Sequence, residues 1–254
     1  MIDLHCHILP GVDDGPPDEV EVLKMANAAV EAGITHVFAT PHHLNGRFEN
    51  SKVEIIDSVI RINNLFRSEN IPLTVHPGQE LRIHQELLHS LDRNEVLTLD
   101  NKGSYLLLEL PTGEVPTYTH DVVYELLLKE ITPIIVHPER NREIIENPEL
   151  LYNLVQEGAL TQITSGSILG QFSKKVKTFS ERLIEHHLAH FIASDAHNVR
   201  TRGFSLQQAI NSVTAKFGKQ TAYHFVENAQ LVMLGQSLYV KQPVQIRKRF
   251  MGIF

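Results

Sequence analysis

Short apolar runs alternate with amphipathic segments along most of the chain. Seven of these runs have the length and the Val, Ile and Leu content of buried strands. They cover residues 2–8, 35–40, 72–76, 105–110, 133–137, 160–164 and 190–194. Strands that alternate with helices in this way form parallel sheets covered by helices, so the pattern predicts an α/β fold.

The segments between these runs repeat their apolar residues at helical spacing. In residues 51–67 the apolar positions recur every three or four residues, at Ile55, Val59, Ile62 and Phe66. Similar patterns cover residues 18–32, 120–129, 148–157, 176–187, 205–217 and 222–234. Seven strands in one continuous series predict a closed or nearly closed barrel. The sequence also lacks the Gly-rich fingerprint of an open, dinucleotide-binding sheet.

The composition excludes several classes of protein. Apolar residues make up 42 % of the chain and charged residues 21 %, as in an ordinary globular domain. No apolar run approaches the roughly 18 residues of a membrane span, and the first residues lack the pattern of a secretory signal. A single cysteine, Cys6, fits a reducing compartment. We therefore expect a cytoplasmic protein with one domain over residues 1–240.

The charge is unevenly distributed. The net charge of −7 argues against nucleic-acid binding, which requires a basic face. Residues 241–254 differ, because they carry four basic residues and no acidic one: Lys241, Arg247, Lys248 and Arg249. This basic-aromatic tail could contact a membrane surface or an acidic partner, and the alternative is a solvated terminus. Nothing in the pattern specifies an oligomeric state.

Histidines and carboxylates stand at or just after the ends of six of the seven predicted strands. They are His5, His7, His42, His43, Glu80, Glu109, His137, Asp195 and His197. In a βα barrel the carboxyl ends of all strands converge on one rim, where the chemistry takes place. Unpaired charges at such buried positions are costly, so a metal cluster is the simplest explanation for their number.

Two strand ends place a pair of metal-binding side chains on one face. His5 and His7 are two residues apart, which puts both imidazoles on the same side of a strand and Cys6 on the other. Asp195 and His197 repeat this spacing on the last predicted strand. Histidine and carboxylate ligands without cysteine suit manganese, iron, zinc or magnesium better than a thiolate zinc site.

Two aspartates in a loop are candidates for the same rim. Asp13 and Asp14 follow the first strand and fall within reach of the same edge. His76 has no partner pattern of this kind and is interpreted as a structural residue.

No side chain has the context of a catalytic nucleophile. Cys6 lacks the Cys-x5-Arg loop of cysteine phosphatases, since Val12 stands where the arginine would be. Ser165 lacks the G-x-S-x-G elbow of serine hydrolases. We therefore expect a metal-activated water as the nucleophile, and we interpret Cys6 as a small packed residue.

Five motifs, in order along the chain, resemble those of a known family. They are D-x-H-C-H-I-L-P-G-V-D-D-G from Asp3, then A-T-P-H-H, P-G-Q-E, H-P-E-R-N and S-D-A-H-N. Together they resemble the polymerase and histidinol phosphatase (PHP) superfamily of metal hydrolases. Within it, the sequence is most similar to the bacterial CpsB/YwqE-type protein-tyrosine phosphatases of capsule and exopolysaccharide operons.

The resemblance implies a distorted (β/α)7 barrel, a TIM-like PHP fold, with its active site at the carboxyl ends of the strands. It also implies three divalent metal ions, manganese before iron, magnesium or zinc. The implied ligands are His5, His7, Glu80 and Asp195 for one ion, Glu80, Glu109 and His137 for the second, and Asp14, His42 and His197 for the third. A shift of one residue would exchange Asp13 with Asp14, or His43 with His42, so both pairs stay open.

The resemblance also implies two phosphate-binding arginines. They are Arg140 in H-P-E-R-N and Arg202 shortly after S-D-A-H-N, with Arg200 as the competing position. Guanidinium groups match phosphate oxygens in geometry and charge.

The implied activity is metal-dependent hydrolysis of phosphotyrosine on a bacterial tyrosine kinase that regulates polysaccharide export. A metal-bridging hydroxide would attack phosphorus without a phosphoenzyme, and His42 could assist the leaving phenolate. Three alternatives are a small-molecule phosphoesterase of the histidinol-phosphatase type, a metal-dependent deaminase or amidohydrolase, and a non-catalytic module of a kinase system. The two arginines argue against the second alternative, and the complete set of ligand-type residues argues against the third.

Overall fold

A computed structural model describes residues 1–247. Within this range the chain forms nine strands, ten α helices and two 3-10 turns, the latter at Leu99–Asn101 and Pro138–Arg140. The strands are β1 (Ile2–Cys6), β2 (His36–Ala39), β3 (His42–His43), β4 (Thr74–Pro77), β5 (Glu80–Arg82), β6 (Tyr105–Glu109), β7 (Thr132–Val136), β8 (Leu160–Thr164) and β9 (Phe191–Ala193). The helices are α1 (Glu19–Glu31), α2 (Lys52–Ser68), α3 (Leu87–Asp92), α4 (Thr119–Leu128), α5 (Arg142–Glu146), α6 (Glu149–Glu157), α7 (Ser165–Leu169), α8 (Lys174–Glu185), α9 (Leu206–Phe217) and α10 (Lys219–Met233).

All strand pairs are parallel, which confirms the α/β prediction. The strands form two sheets, with the orders β1-β2-β4 and β3-β5-β6-β7-β8-β9. The run predicted at 35–40 is followed by β3 after a break at Pro41, whose backbone has no N–H to donate. The run predicted at 72–76 is followed by β5 after Gly78, where a Cβ would lie 3.0 Å from side-chain atoms of both Thr40 and Leu99.

Backbone hydrogen bonds connect the end of β1 to the segment after β9. The His5 carbonyl accepts from Asp195 N–H, and the His7 N–H donates to the Ala196 carbonyl, both at 2.9 Å. On the other side, Thr40 N–H donates to the Cys6 carbonyl at 2.9 Å. These bonds bring the two sheets together at β1, although the described strands do not form one continuous closed sheet.

The predicted long helices are confirmed, with ends shifted by a few residues. Several begin at side-chain caps: Ser51 starts α2 with a capping box that includes Glu54, and Ser173 caps α8. Such caps satisfy the free N–H groups of a first helical turn. The sequence reading did not predict α3, α5 or α7, which at five or six residues are too short for a periodic pattern.

Alternate residues of β6 belong to two different hydrophobic clusters. Leu106 and Leu108 lie in the larger cluster with the helices, whereas Tyr105 and Leu107 belong to the smaller one. Glu109 lies on the same face of β6 as Tyr105 and Leu107, because side chains alternate along a strand. It places a carboxylate at the end of that buried apolar face.

The first part of the basic tail packs against the domain. Val244 N–H donates to the His186 carbonyl at 2.8 Å just after α8, and Ile246 is only 4 % exposed. The chain is therefore held to the domain at Val244 and Ile246, although Val244 and Gln245 stay exposed, while Lys248 and Arg249 lie outside the described residues. No helix in the described part of the chain is both long and apolar enough to cross a membrane.

Candidate active site

The nine predicted ligands come together at the carboxyl ends of the strands. Each has a side-chain nitrogen or oxygen within 3.8 Å of another member of the group. The members are His5, His7, Asp14, His42, Glu80, Glu109, His137, Asp195 and His197. We call this group the rim cluster.

Glu80, the first residue of β5, lies at the centre of the rim cluster and is fully buried. Its Oε2 is 3.4 Å from His5 Nε2, 3.3 Å from His7 Nε2 and 2.8 Å from His42 Nδ1. Its Oε1 is 2.7 Å from His137 Nε2. One carboxylate therefore contacts four imidazoles, two from the end of β1, one from β3 and one that follows β7.

Asp14 organises a second part of the rim cluster. Its Oδ1 is 3.4 Å from His42 Nε2 and 3.2 Å from His197 Nε2. Together with His7, these residues form a group whose ligand atoms all lie within 4.8 Å of one another. Two similar groups are His5, His7 and Glu80, and His42, Glu80 and Glu109.

The geometry distinguishes Asp13 from Asp14, a choice that the sequence left open. Asp13 accepts a 2.6 Å hydrogen bond from His7 Nδ1 and further bonds from the Gly15 and His42 N–H groups. Its oxygens therefore hold the outer side of an imidazole and the loop backbone, whereas Asp14 faces the rim cluster.

The second adjacent pair is separated in the same way. His42 faces Glu80, but His43 Nδ1 accepts from the Asn50 N–H at 3.1 Å and lies behind the rim cluster. His76 is also outside it, since it bonds His36 at 3.0 Å between their ring nitrogens. The structural reading of His76 is confirmed.

Two arginines converge on Asp195. Arg140 donates to Asp195 Oδ2 at 2.6 Å, and Arg202 donates to Asp195 Oδ1 at 2.8 Å. Arg200 is exposed, and its N–H bonds the side chain of Asn198 in the same loop. Arg202, not Arg200, therefore stands beside the rim cluster.

A cavity of about 200 Å³ opens beside the rim cluster. Its polar lining consists of His42, Glu109, His137, Arg140, Asp195 and Arg202, among others. Two guanidinium groups and four candidate metal ligands thus line the same cavity, an arrangement that fits a small anionic group.

The pKa values of two acidic groups of the rim cluster, Glu80 and Glu109, are shifted in opposite directions. Burial opposes ionisation of Glu80, but the charges of His5 and His42 and the hydrogen bond from His137 hold its pKa well below the usual range. Burial and the Glu80 charge instead raise the pKa of Glu109 to about 7. Such divergence is common at functional sites.

The pKa values of the imidazoles in the rim cluster are also shifted in opposite directions. Burial lowers the pKa of His7, but the Asp13 carboxylate outweighs it and raises the value well above normal. Burial together with Arg140 lowers the pKa of His137 to about 4, and burial together with His7 lowers that of His197 to about 4.

Two members of the rim cluster have left-handed backbone conformations. The φ angle is 38° at His137 and 54° at Asp195. Non-glycine residues adopt this region at an energetic cost of order 1–3 kcal/mol, and histidine and aspartate are found there more often than most residue types. His137 follows β7 and Asp195 follows β9, and at both positions the side chain reaches the rim cluster.

The donor atoms of the rim cluster fit divalent cations. Within the described residues, His42 Nδ1, Glu80 Oε2 and His197 Nε2 are buried and have no hydrogen-bond partner. His42 Nδ1 and Glu80 Oε2 are only 2.8 Å apart but are not aligned for a hydrogen bond. Lone pairs that converge without bonding each other suit a cation that accepts them both.

Several supporting residues were not identified from the sequence. Gln162 in β8 bonds His5 Nδ1 at 2.8 Å through its Oε1, and Arg82 bonds Glu109 Oε2 at 3.0 Å. Such partners orient ligands and fix the tautomer of an imidazole. A glutamine in the middle of the buried run 160–164 was the one available signal.

Cys6 and Ser165 do not face the rim cluster. Cys6 is fully buried, with its Sγ 3.7 Å from the Ala196 carbonyl oxygen, and burial raises the pKa of its thiol well above the usual value. Ser165 Oγ is paired with Ser205 Oγ at 2.7 Å. The interpretation of Cys6 as a packed residue is confirmed.

Comparison with known proteins identifies relatives across the whole fold. Residues 1–234 match the family model described as capsular polysaccharide synthesis, CpsB/CapC. The chain is 48 % identical over 256 residues to tyrosine-protein phosphatase YwqE of Bacillus subtilis, covering 100 % of both. It is 28 % identical over 242 residues to tyrosine-protein phosphatase CpsB of Streptococcus pneumoniae, covering 93 % of this chain and 99 % of the relative.

Solved structures show the same relationship. One from work on YwqE of Bacillus subtilis and CpsB of Streptococcus pneumoniae, described as unique metal-dependent tyrosine phosphatases, superposes with a TM-score of 0.95 at 46 % identity. It covers 98 % of this chain and 100 % of its own. A histidinol phosphate phosphatase of Lactococcus lactis shares the fold, with a TM-score of 0.54 at 14 % identity over 87 % of this chain and 93 % of its own.

Proposed function

Because the chain belongs to the CpsB/CapC family of capsular polysaccharide synthesis proteins, we propose that it is a metal-dependent protein-tyrosine phosphatase. The observation that carries this proposal is the convergence of Arg140 and Arg202 on Asp195, inside a cavity that the rim cluster also lines. Guanidinium groups that can bind phosphate, together with a cluster that can bind metal ions, are the two parts that metal-dependent hydrolysis of a phosphate ester uses.

The proposal includes a distorted (β/α)7 barrel, in which β2 and β3 act as one strand and β4 and β5 as another. Residues 1–240 would form one catalytic domain. The hydrogen bonds from β1 to the segment after β9 support the barrel arrangement, because they link the two sheets along their edge.

We propose that the rim cluster holds three divalent ions, manganese first. His5, His7, Glu80 and Asp195 would bind one ion, Glu80, Glu109 and His137 the second, and Asp14, His42 and His197 the third. Bound there, divalent ions supply an activated water for attack on phosphorus and offset the charge of the phosphate.

The chain's own residues position the ester. Arg140 and Arg202 donate to non-bridging phosphate oxygens, and these hydrogen bonds replace part of their bonding to Asp195. The two guanidinium groups thereby stabilise the charge that develops in the transition state. His42 lines the same cavity and would assist the departure of the phenolate oxygen. A phosphoenzyme would not form on Cys6, since this residue is fully buried.

The substrate we propose is a phosphotyrosine segment of a bacterial tyrosine kinase that regulates capsule or exopolysaccharide synthesis. The names of the relatives support this, as does the family description. The tail around Arg247, which is exposed, would bring the enzyme to a membrane surface where such a kinase works.

The decisive experiment is phosphate release from a phosphotyrosine peptide by metal-stripped protein, with and without Mn²⁺. Activity is expected to return with Mn²⁺ and to disappear in His5→Ala and Arg140→Ala variants, but to persist in a His43→Ala control. Metal-independent activity would contradict the role of the rim cluster. Hydrolysis of p-nitrophenyl phosphate or histidinol phosphate without the peptide would keep the cluster and move the substrate to small molecules.

A further inference from the structure

An exposed aromatic side chain stands beside Arg140. Phe172 lies between α7 and α8, past the carboxyl end of β8, and is 40 % exposed. Its ring centroid is 4.9 Å from Cζ of Arg140, a distance at which a guanidinium and a ring attract each other. The neighbour of this exposed ring is thus one of the two arginines that line the cavity.

Fixed backbone holds Phe172 in this position. The preceding residue, Gln171, donates its N–H to the Gly166 carbonyl at 2.9 Å, and the following residue, Ser173, caps α8. A Cβ on Gly166 would lie 3.3 Å from a ring carbon of Phe172, so the ring packs closely on that backbone. The exposure of Phe172 is therefore a property of an anchored segment.

The second aromatic side chain near the cavity is already engaged on two sides. Phe48 is stacked on His42, with the ring planes 7° apart, and the Arg47 guanidinium lies 4.8 Å from its centroid. Phe172 keeps more of its surface open to a ligand.

We propose that Phe172 is a specificity-determining residue that contacts the aromatic ring of the substrate. The inference rests on the proposed phosphatase function. In an aryl phosphate the ring is attached directly to the bridging oxygen, so it must lie next to the groups that hold the phosphate. Arg140 would hold the phosphate oxygens, and Phe172 would pack on the ring in an offset or edge-to-face arrangement. An alkyl phosphate would lose this contact.

The sequence contains no tryptophan, which makes a direct binding experiment possible. A Phe172→Trp variant places the single indole at the proposed contact. Its fluorescence is expected to change, with saturation, on addition of phenylphosphonate to the Mn²⁺-loaded protein, and much less with methylphosphonate. A Tyr223→Trp control, on the exposed surface of α10, is expected to respond to neither. Equal responses of Phe172→Trp to both phosphonates would overturn the proposal.

Inhibition constants test the same contact in the unlabelled enzyme. With phenyl phosphate as substrate, Phe172→Ala is expected to weaken inhibition by phenylphosphonate about five- to tenfold, and to leave inhibition by methylphosphonate and inorganic phosphate within twofold. Phe172→Tyr should restore the wild-type values. Equal weakening for all three inhibitors would mean that Phe172 only positions Arg140, and no change would mean that it contacts no ligand.

These outcomes are separate from failure of the proposed function. If the wild-type enzyme hydrolyses phenyl phosphate but no phosphotyrosine peptide, the peptide substrate is wrong, while the phosphonate comparison still decides the role of Phe172.

Discussion

Buried histidines occur at both ends of the parallel strands, and their surroundings differ completely. At the carboxyl ends, the imidazoles of the rim cluster meet carboxylates from several elements. At the amino end of β9, His190 is 5 % exposed, and its Nδ1 accepts from the Thr161 N–H at 3.0 Å. Its Nε2 has no hydrogen-bond partner in the described part of the chain, and no carboxylate shifts its pKa.

The two ends show that burial of an imidazole does not by itself make a ligand. Burial and the nearby His187 lower the pKa of His190 to about 4, so this residue stays neutral. In the rim cluster, burial acts on His7 in the same direction but the Asp13 carboxylate reverses it. Convergent anionic oxygens, and not buried histidines alone, therefore distinguish the candidate metal-binding cluster from His190.

The largest effect expected from this comparison concerns Glu80. A Glu80→Gln substitution removes the charge that four imidazoles contact, so metal content per chain should fall and phosphatase activity should drop on the order of 1,000-fold, beyond the 10–100-fold of outer-shell partners. Elemental analysis and turnover of a phosphotyrosine peptide measure both. Glu31→Gln, at the exposed end of α1, should change neither. A fully loaded, active Glu80→Gln protein would remove Glu80 from the centre of the site.

His190 provides the counterpart at the amino end. Its folded pKa of about 4 is below the unfolded value of about 6.5. Below pH 6.5 the unfolded chain therefore binds a proton that the folded chain does not, and stability falls as the pH decreases toward 4. The contribution amounts to about 3 kcal/mol.

Denaturant unfolding between pH 7 and pH 4 measures this slope. Because histidines of the rim cluster titrate in the same range, the informative quantity is the difference from a His190→Asn variant. The asparagine oxygen can still accept from Thr161 N–H, so the variant should lose the His190 part of the slope. Parallel pH profiles for the two proteins would show that His190 titrates normally.

The smallest effect separates two neighbouring arginines. Arg202→Ala removes a charged donor from the cavity and should lower kcat/KM for a phosphotyrosine peptide about 30-fold, the size of one charge-assisted hydrogen bond. Arg200→Ala should stay within twofold, since Arg200 is exposed. Steady-state kinetics at saturating Mn²⁺ distinguish them, and the reverse order of effects would favour Arg200 at the phosphate.

Most residues of the rim cluster could be predicted because they stand at or just after the ends of apolar runs. Glu109 ends a run of leucines, and His5 and His7 share one face of β1, so their position alone indicated a common edge. Glu80 was found in the same way, although the three-residue strand β5 that carries it is too short to leave a pattern of its own.

Other features depend on tertiary contacts that a linear pattern does not contain. Asp13 and Asp14 differ only in the direction of their side chains within a loop, and that direction follows from the bond of Asp13 to His7. Phe172 reads as an ordinary loop residue until Arg140 is placed beside it. The division into two sheets follows partly from Pro41, which was visible, and partly from close packing at Gly78, which was not.

The alternation along β1 makes this strand sensitive to length in a way that its residue types do not reveal. Cys6 is packed away from the site, and His5 and His7 on either side of it reach Glu80. Removing Cys6, or adding one residue beside it, would put His5 and His7 on opposite faces of the strand, so that only one of the two imidazoles could still reach Glu80. Insertions and deletions should therefore accumulate in the surface loops of related sequences, while the single-residue spacing between His5 and His7 stays constant.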